Sequence, residues 1–141
     1  MIIYGIKTCG SVRKALKFCK DNNIECDFHD IRKDPLSDDK IKHFASKVDV
    51  NLLFNNKGTK YRDLKLKELN LDNAGKLEWL CKENMLLKRP VIEYNNDKVL
   101  CAFDDINGIA KICKKYSIWL HVDGAFGGSV IFSNKYNKLV K

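Results

Sequence analysis

Six cysteines lie at positions 9, 19, 26, 81, 101 and 113, and one stands apart by its neighbours. Thr8-Cys9-Gly10-Ser11-Val12-Arg13 follows a short apolar run, Met1-Ile2-Ile3-Tyr4, that Gly5 ends. Such a run reads as a buried strand. Ser11 can cap the helix that follows, whose apolar positions Val12, Ala15, Leu16 and Cys19 recur at i, i+3, i+4 and i+7. A thiol at that junction faces unpaired backbone N–H groups and the positive end of the helix dipole. Arg13, one turn inside, adds positive charge, and Gly10 lets the backbone come close to an incoming anion. These conditions favour the thiolate, the nucleophilic form of the side chain. The other five cysteines sit among apolar neighbours and read as small buried hydrophobes. No pair has C-x2-C spacing, so neither a metal site nor a thioredoxin-type dithiol is expected. Cys19 lies ten residues beyond Cys9 along the helix, roughly 12–15 Å away, and that is out of reach of a disulfide. A second group with chemical potential is Lys88-Arg89-Pro90, just ahead of another apolar run.

The elements that must position these groups can be read from pattern. Asn22-Asn23 closes the first helix, and Cys26 to Ile31 alternates toward a second strand that Asp34-Pro35 breaks. Ser37-Asp38-Asp39 opens a helix with Ile41, Phe44, Ala45 and Val48 on one face. Leu52-Leu53-Phe54 precedes turn residues Asn55 to Thr59 and then a polar stretch. Leu77, Leu80 and Cys81 mark a short helix ending near Asn84. Val91 to Tyr94, the turn Asn95-Asn96-Asp97, and Lys98 to Phe103 form a β-hairpin. Asp104-Asp105 starts a helix that aligns Ile106, Ile109, Ala110 and Cys113. The order β-α-β, helical insert, β-β-α is that of an α/β, thioredoxin-like fold with a helical subdomain inserted between its halves. In such folds a cis-proline at the place of Pro90 packs against the active cysteine, and cis bonds are nearly confined to X–Pro.

Composition narrows the partners. The 141 residues are 45% hydrophobic and 31% charged, as expected of a globular chain. Of the formal charge of +8, the stretch from Ile106 onward carries +5, so residues 1–105 keep only +3, interspersed with acids. That balance suits a small anion or an acidic partner surface better than nucleic acid. No apolar run reaches the length of about eighteen residues that a membrane span needs. Residues 1–5 lack the organisation of a signal peptide, and a cytoplasmic chain is expected.

Four motifs in order carry a resemblance: Tyr4-Gly-Ile-Lys-Thr-Cys-Gly-Ser11, Leu53-Phe-Asn-Asn-Lys-Gly-Thr-Lys-Tyr-Arg-Asp-Leu64, Asn84-Met-Leu-Leu-Lys-Arg-Pro90 and Lys98-Val-Leu-Cys-Ala-Phe-Asp104. Residues 1–105 thus resemble the arsenate reductase-related proteins, a family that also contains the Spx-type regulators. The resemblance implies a thiol oxidoreductase in which Cys9 is the nucleophile, Pro90 is cis, and Arg89 helps to hold an oxyanion or a thiolate adduct. Gly10, Ser11, Arg13, Arg62 and Pro90 are the implied substrate-binding residues. The implied substrate is a small oxyanion or a glutathione-type mixed disulfide. The resemblance further implies no bound cofactor, with an external thiol, glutathione or glutaredoxin, as the reductant. An alternative from the same resemblance is a non-enzymatic, Spx-like regulator that binds RNA polymerase, although Val12 stands where C-x-x-C would place its second cysteine. The pattern also departs from arsenate reductases proper, which hold the oxyanion with three arginines. Only Arg89 matches, with Phe54 and Ala102 at the other two places.

The remainder points elsewhere. Ile109 to Gly128, with His121-Val-Asp-Gly-Ala-Phe-Gly-Gly128, resembles the pyridoxal-phosphate group II decarboxylases of glutamate type. There the residue matching Asp123 pairs with the cofactor's ring nitrogen. The Schiff-base lysine and the rest of that fold have no counterpart in this sequence, so His121 and Asp123 are expected to be inert and no pyridoxal phosphate is expected. The expected organisation is a thioredoxin-like domain over 1–116 and a decarboxylase-like tail over 117–141 without independent function.

Overall fold

The computed structural model describes residues 1–95 and 97–101. Expectations for Ala102, the helix from Asp104, Cys113, His121, Asp123 and the tail fall outside the described residues. Within them the order is β1 (Ile2–Gly5), α1 (Gly10–Asp21), β2 (Asp27–Asp30), α2 (Asp38–Lys47), α3 (Val50–Leu53), α4 (Thr59–Asp63), a 3-10 turn (Leu66–Leu69), α5 (Asn73–Lys82), a second 3-10 turn (Asn84–Leu86), β3 (Val91–Tyr94) and β4 (Lys98–Cys101). The sheet order is β2-β1-β3-β4. β1 and β2 are parallel, β3 runs antiparallel to β1, and β4 antiparallel to β3. This is the α/β arrangement expected from the pattern of elements.

Strand alternation sorts the side chains onto two faces. Tyr4 and Val91, cross-strand partners, join a cluster with Ile41, Phe44, Leu53, Leu80, Leu86 and Leu87 beneath α2 and the insert. Ile3 and Ile92, the next pair, lie outside that cluster, as do the buried α1 residues Val12, Ala15 and Cys19. Tyr4 anchors the first face twice over. Its ring meets Phe44 edge-on at 5.1 Å, and its hydroxyl donates to Glu93 at 2.8 Å. Lys40 Nζ closes the same group, donating to both Glu93 carboxylate oxygens at 2.9 and 2.8 Å.

Local chemistry explains the helix starts. Ser37 accepts from the Lys40 N–H at 3.3 Å and Asp72 from the Gly75 N–H at 2.7 Å, both N-caps. Three details differ from the sequence reading. The residues after Thr59, read as a polar stretch, fold into α4 and a 3-10 turn flanked by Lys65 and Asn70 at positive φ. These pieces are too short to show a periodic apolar face. Asn84, read only as a helix end, is buried. Its Oδ1 accepts from the Leu36 N–H and its Nδ2 donates to the Leu80 carbonyl, tying α5 to the start of α2. Finally, of the cysteines read as buried hydrophobes, only Cys19 is fully buried among the described residues. Cys26, Cys81 and Cys101 are half-buried.

Candidate active site

Three chain segments converge at one edge of the sheet for topological reasons. Parallel β1 and β2 end at the same edge, and antiparallel β3 begins there. The residues after Gly5, those after Asp30 and those before Val91 are therefore neighbours. Ile31 N–H donates to the Gly5 carbonyl at 3.0 Å, extending the parallel pairing past the strand end. Continuing the antiparallel register from Tyr4↔Val91 sets Gly5 opposite Pro90 and Ile6 opposite Arg89.

Cys9 occupies the N-cap of α1, with extended φ −77° and ψ 126°. The expectation that Ser11 caps this helix is corrected: α1 begins at Gly10, and Ser11 lies within its first turn. The physical reason lies in the loop. The Cys9 N–H bonds back to the Ile6 carbonyl at 3.0 Å, and its own carbonyl accepts the Arg13 N–H at 3.1 Å, which starts the helix one residue before Gly10. No side chain caps the first-turn amides and no acid lies among them. Their partial positive charge is left beside the half-buried Cys9 sulfur.

Gly5 and Gly10 serve different ends. A Cβ on Gly5 would stand 2.5 Å from Val12 Cγ2, so its absence lets α1 lie directly on β1. A Cβ on Gly10 would meet nothing within 4 Å, and its φ is not positive. Packing does not require that glycine, and the space beside it is open. Arg13 is exposed on α1.

The Arg89–Pro90 bond is cis, and Pro90 is fully buried at the entry to β3. Arg89 is half-buried. Its Nη1 lies 3.6 Å from Met85 Sδ, and its Nε is buried without a hydrogen-bond partner. A buried donor left unpaired costs about 1–3 kcal/mol. Arg89 borders a hollow of about 330 Å³ with Ile6, Arg32, Lys60, Asp63 and Met85 among its other walls. Three cations against one carboxylate give the hollow a positive balance. Cys9 does not line it, but abuts it through Ile6, whose carbonyl holds the Cys9 N–H.

Arg62, singled out from sequence, is exposed on α4 and does not border the hollow, whereas Lys60 on the same helix does. Lys60 also pairs with Glu83 at 3.2 Å. Arg32 and Lys60 are the residues sequence reasoning missed. The signal for Arg32 lies in topology, since it follows the end of a strand parallel to β1. Phe54 is buried, with its ring edge-on to Tyr61 at 5.9 Å. That position belongs to the core. Among the described residues no group of His, Cys, Asp and Glu could hold a metal ion, and no helix is long and apolar enough to cross a membrane.

The sheet order, the cysteine at the β1–α1 junction and the cis-proline entering β3 define a thioredoxin-like domain. Residues 4–107 match the ArsC family model, and the chain belongs to the ArsC family, a family of thiol-dependent redox proteins. An uncharacterized protein of Haemophilus influenzae is 36% identical over 104 residues, covering 73% of this chain and 90% of its own. YusI of Bacillus subtilis is 32% identical over 109 residues, covering 74% and 92%. Among solved structures, an arsenate reductase-related protein from Brucella melitensis is 31% identical, with a TM-score of 0.62 over 79% of this chain and 92% of that one. The YFFB (PA3664) protein, 25% identical, aligns with a TM-score of 0.69 over 77% and 96%. A stretch of 38 residues is 58% identical to glutamate decarboxylase of Drosophila melanogaster, 27% of this chain but only 8% of that enzyme.

Proposed function

We propose that the chain is a thiol reductase whose Cys9 attacks small anionic substrates, a glutathione-type mixed disulfide before an oxyanion. One observation carries this reading: a half-buried cysteine at an uncapped helix N-terminus is hydrogen-bonded through its backbone to Ile6, a wall of a hollow that Arg89, Arg32 and Lys60 also border. The Cys9 thiolate attacks the disulfide sulfur and becomes a mixed disulfide, and the substrate's other half leaves as a thiol. An external thiol then attacks that mixed disulfide and restores Cys9. Arg89, Arg32 and Lys60 hold the negatively charged part of the substrate, which the partial positive charge at the α1 N-terminus also attracts. Arsenate is disfavoured as substrate because Phe54 is committed to the core.

Brief alkylation of the folded protein with iodoacetamide at neutral pH, followed by peptide mapping, tests the nucleophile. Cys9 is expected to label first. Burial pushes the Cys19 and Cys81 thiols up, which slows both. Earlier labelling of Cys81 or Cys101 would overturn the assignment. Turnover of a glutathione mixed disulfide by the wild type but not by Cys9→Ser tests the reaction.

A further inference from the structure

We propose that Cys19 and Cys26 are a second thiol centre, a dithiol that small-molecule disulfides oxidise to an intramolecular bond independently of Cys9. The local fold brings the pair together. Cys19 lies in the last turn of α1 and is 3% exposed. The chain then reverses through Asn22 and Asn23, the latter at φ 53°, with Asn22 Nδ2 donating to the Phe18 carbonyl at 2.8 Å. The Ile24 N–H returns to the Cys19 carbonyl at 2.8 Å. On the far side, the Asp27 N–H bonds to the Met1 carbonyl at 2.8 Å, which fixes the start of β2 against β1. Cys26, one residue earlier, is carried back alongside the end of α1, close enough for the two thiols to influence each other. Residues 19–26 thus form a short loop pinned at both ends, with a sulfur at each.

The two thiols are unequal. Burial first, and then the Cys26 thiol beside it, push Cys19 up to about 12. Cys26 is half-buried and meets solvent. The order of events follows. The Cys26 thiolate attacks a small disulfide such as oxidised glutathione, forms a Cys26–glutathione bond and releases one glutathione thiolate. Cys19 then gives up its proton to solvent, attacks the Cys26 sulfur and expels the second glutathione thiolate. The protein loses two electrons and two protons, and one disulfide becomes two thiols. Cys9 takes no part, because ten helical residues at about 1.5 Å each separate it from Cys19, well beyond the roughly 7 Å that a disulfide tolerates between Cα atoms.

The test treats the folded full chain with excess oxidised glutathione, quenches with iodoacetamide, and maps tryptic peptides by mass spectrometry. The expected end product joins Phe18-Cys19-Lys20 to the peptide Asp21–Arg32 through one disulfide. It forms equally in Cys9→Ser and is absent in Cys26→Ser. A Cys26–glutathione adduct should precede it, and its conversion should quicken about tenfold per pH unit between about pH 7 and 9 as more Cys19 ionises. A Cys26 adduct that persists beside free Cys19, an unreactive Cys26, or a Cys19 joined to another cysteine would overturn the proposal. None of these outcomes bears on Cys9 turnover, so the two readings fail separately.

Discussion

Gly5→Ala tests how the fold seats the nucleophile. The added Cβ would lie 2.5 Å from Val12 Cγ2, 3.4 Å from Cγ1 and 3.5 Å from Cβ. Carbon atoms rest at about 3.5–4.0 Å, so strand and helix must part by about 1 Å. Val12 cannot swing clear, because it is fully buried and a β-branched side chain in a helix has essentially one favoured χ1 rotamer. Overpacking of this kind costs about 1–3 kcal/mol. At about 4 °C per kcal/mol for a chain of this size, the melting temperature should fall by about 4–12 °C. Cys9 alkylation should change too, since α1 begins five residues after Gly5. Thermal melts by circular dichroism of Gly5→Ala, Val12→Ala and the double variant decide the matter. Removing the Val12 methyls makes room for the new Cβ, so the double variant should lose less than the sum of the singles, with coupling of about 0.5–3 kcal/mol. Strict additivity, or a Gly5→Ala protein that melts like the wild type, would refute the close approach of α1 to β1 as the reason for that glycine.

Three further outcomes are expected. In a glutaredoxin-coupled assay the protein should reduce arsenate far more slowly than a dedicated arsenate reductase, and Phe54→Arg should lower the melting temperature rather than restore turnover, because it buries a charge. Glu93→Gln should destabilise the fold by about 1–2 kcal/mol at neutral pH, read by urea denaturation, through weaker bonds to Lys40 and Tyr4. Burial alone would raise the Glu93 pKa, but hydrogen bonds from Lys40 and Tyr4 outweigh it and hold the carboxyl below its ordinary 4.5. The stabilisation is therefore full above that pH and lost as pH falls through the lower folded value, so variant and wild type should converge in acid. Removal of residues 117–141 should leave Cys9 alkylation unchanged, because the family match ends at residue 107; a slower Cys9 would refute that boundary.

Much of the site was legible before folding. The apolar run into Gly5, followed by Cys9 and a helical period, placed the thiol at a strand–helix junction because both signals are local. Arg89-Pro90 ahead of a hairpin was legible on the same terms. The sequence also separates the decarboxylase-like stretch, since motif spacing needs no coordinates. Other features depend on which strands pair. Only the parallel register of β1 and β2 brings Arg32 to the sheet edge where β1 ends, and only the fold of the insert turns Lys60 rather than Arg62 toward the hollow. The capping residue was misread because the Cys9 N–H and carbonyl are engaged by Ile6 and Arg13, starting the helix ahead of Ser11. The approach of Cys26 to Cys19 depends on a reversal at Asn23 and on β2 docking beside β1. Local propensity determined where the chemistry lies along the chain; long-range strand pairing, which no short window records, decided which side chains share it.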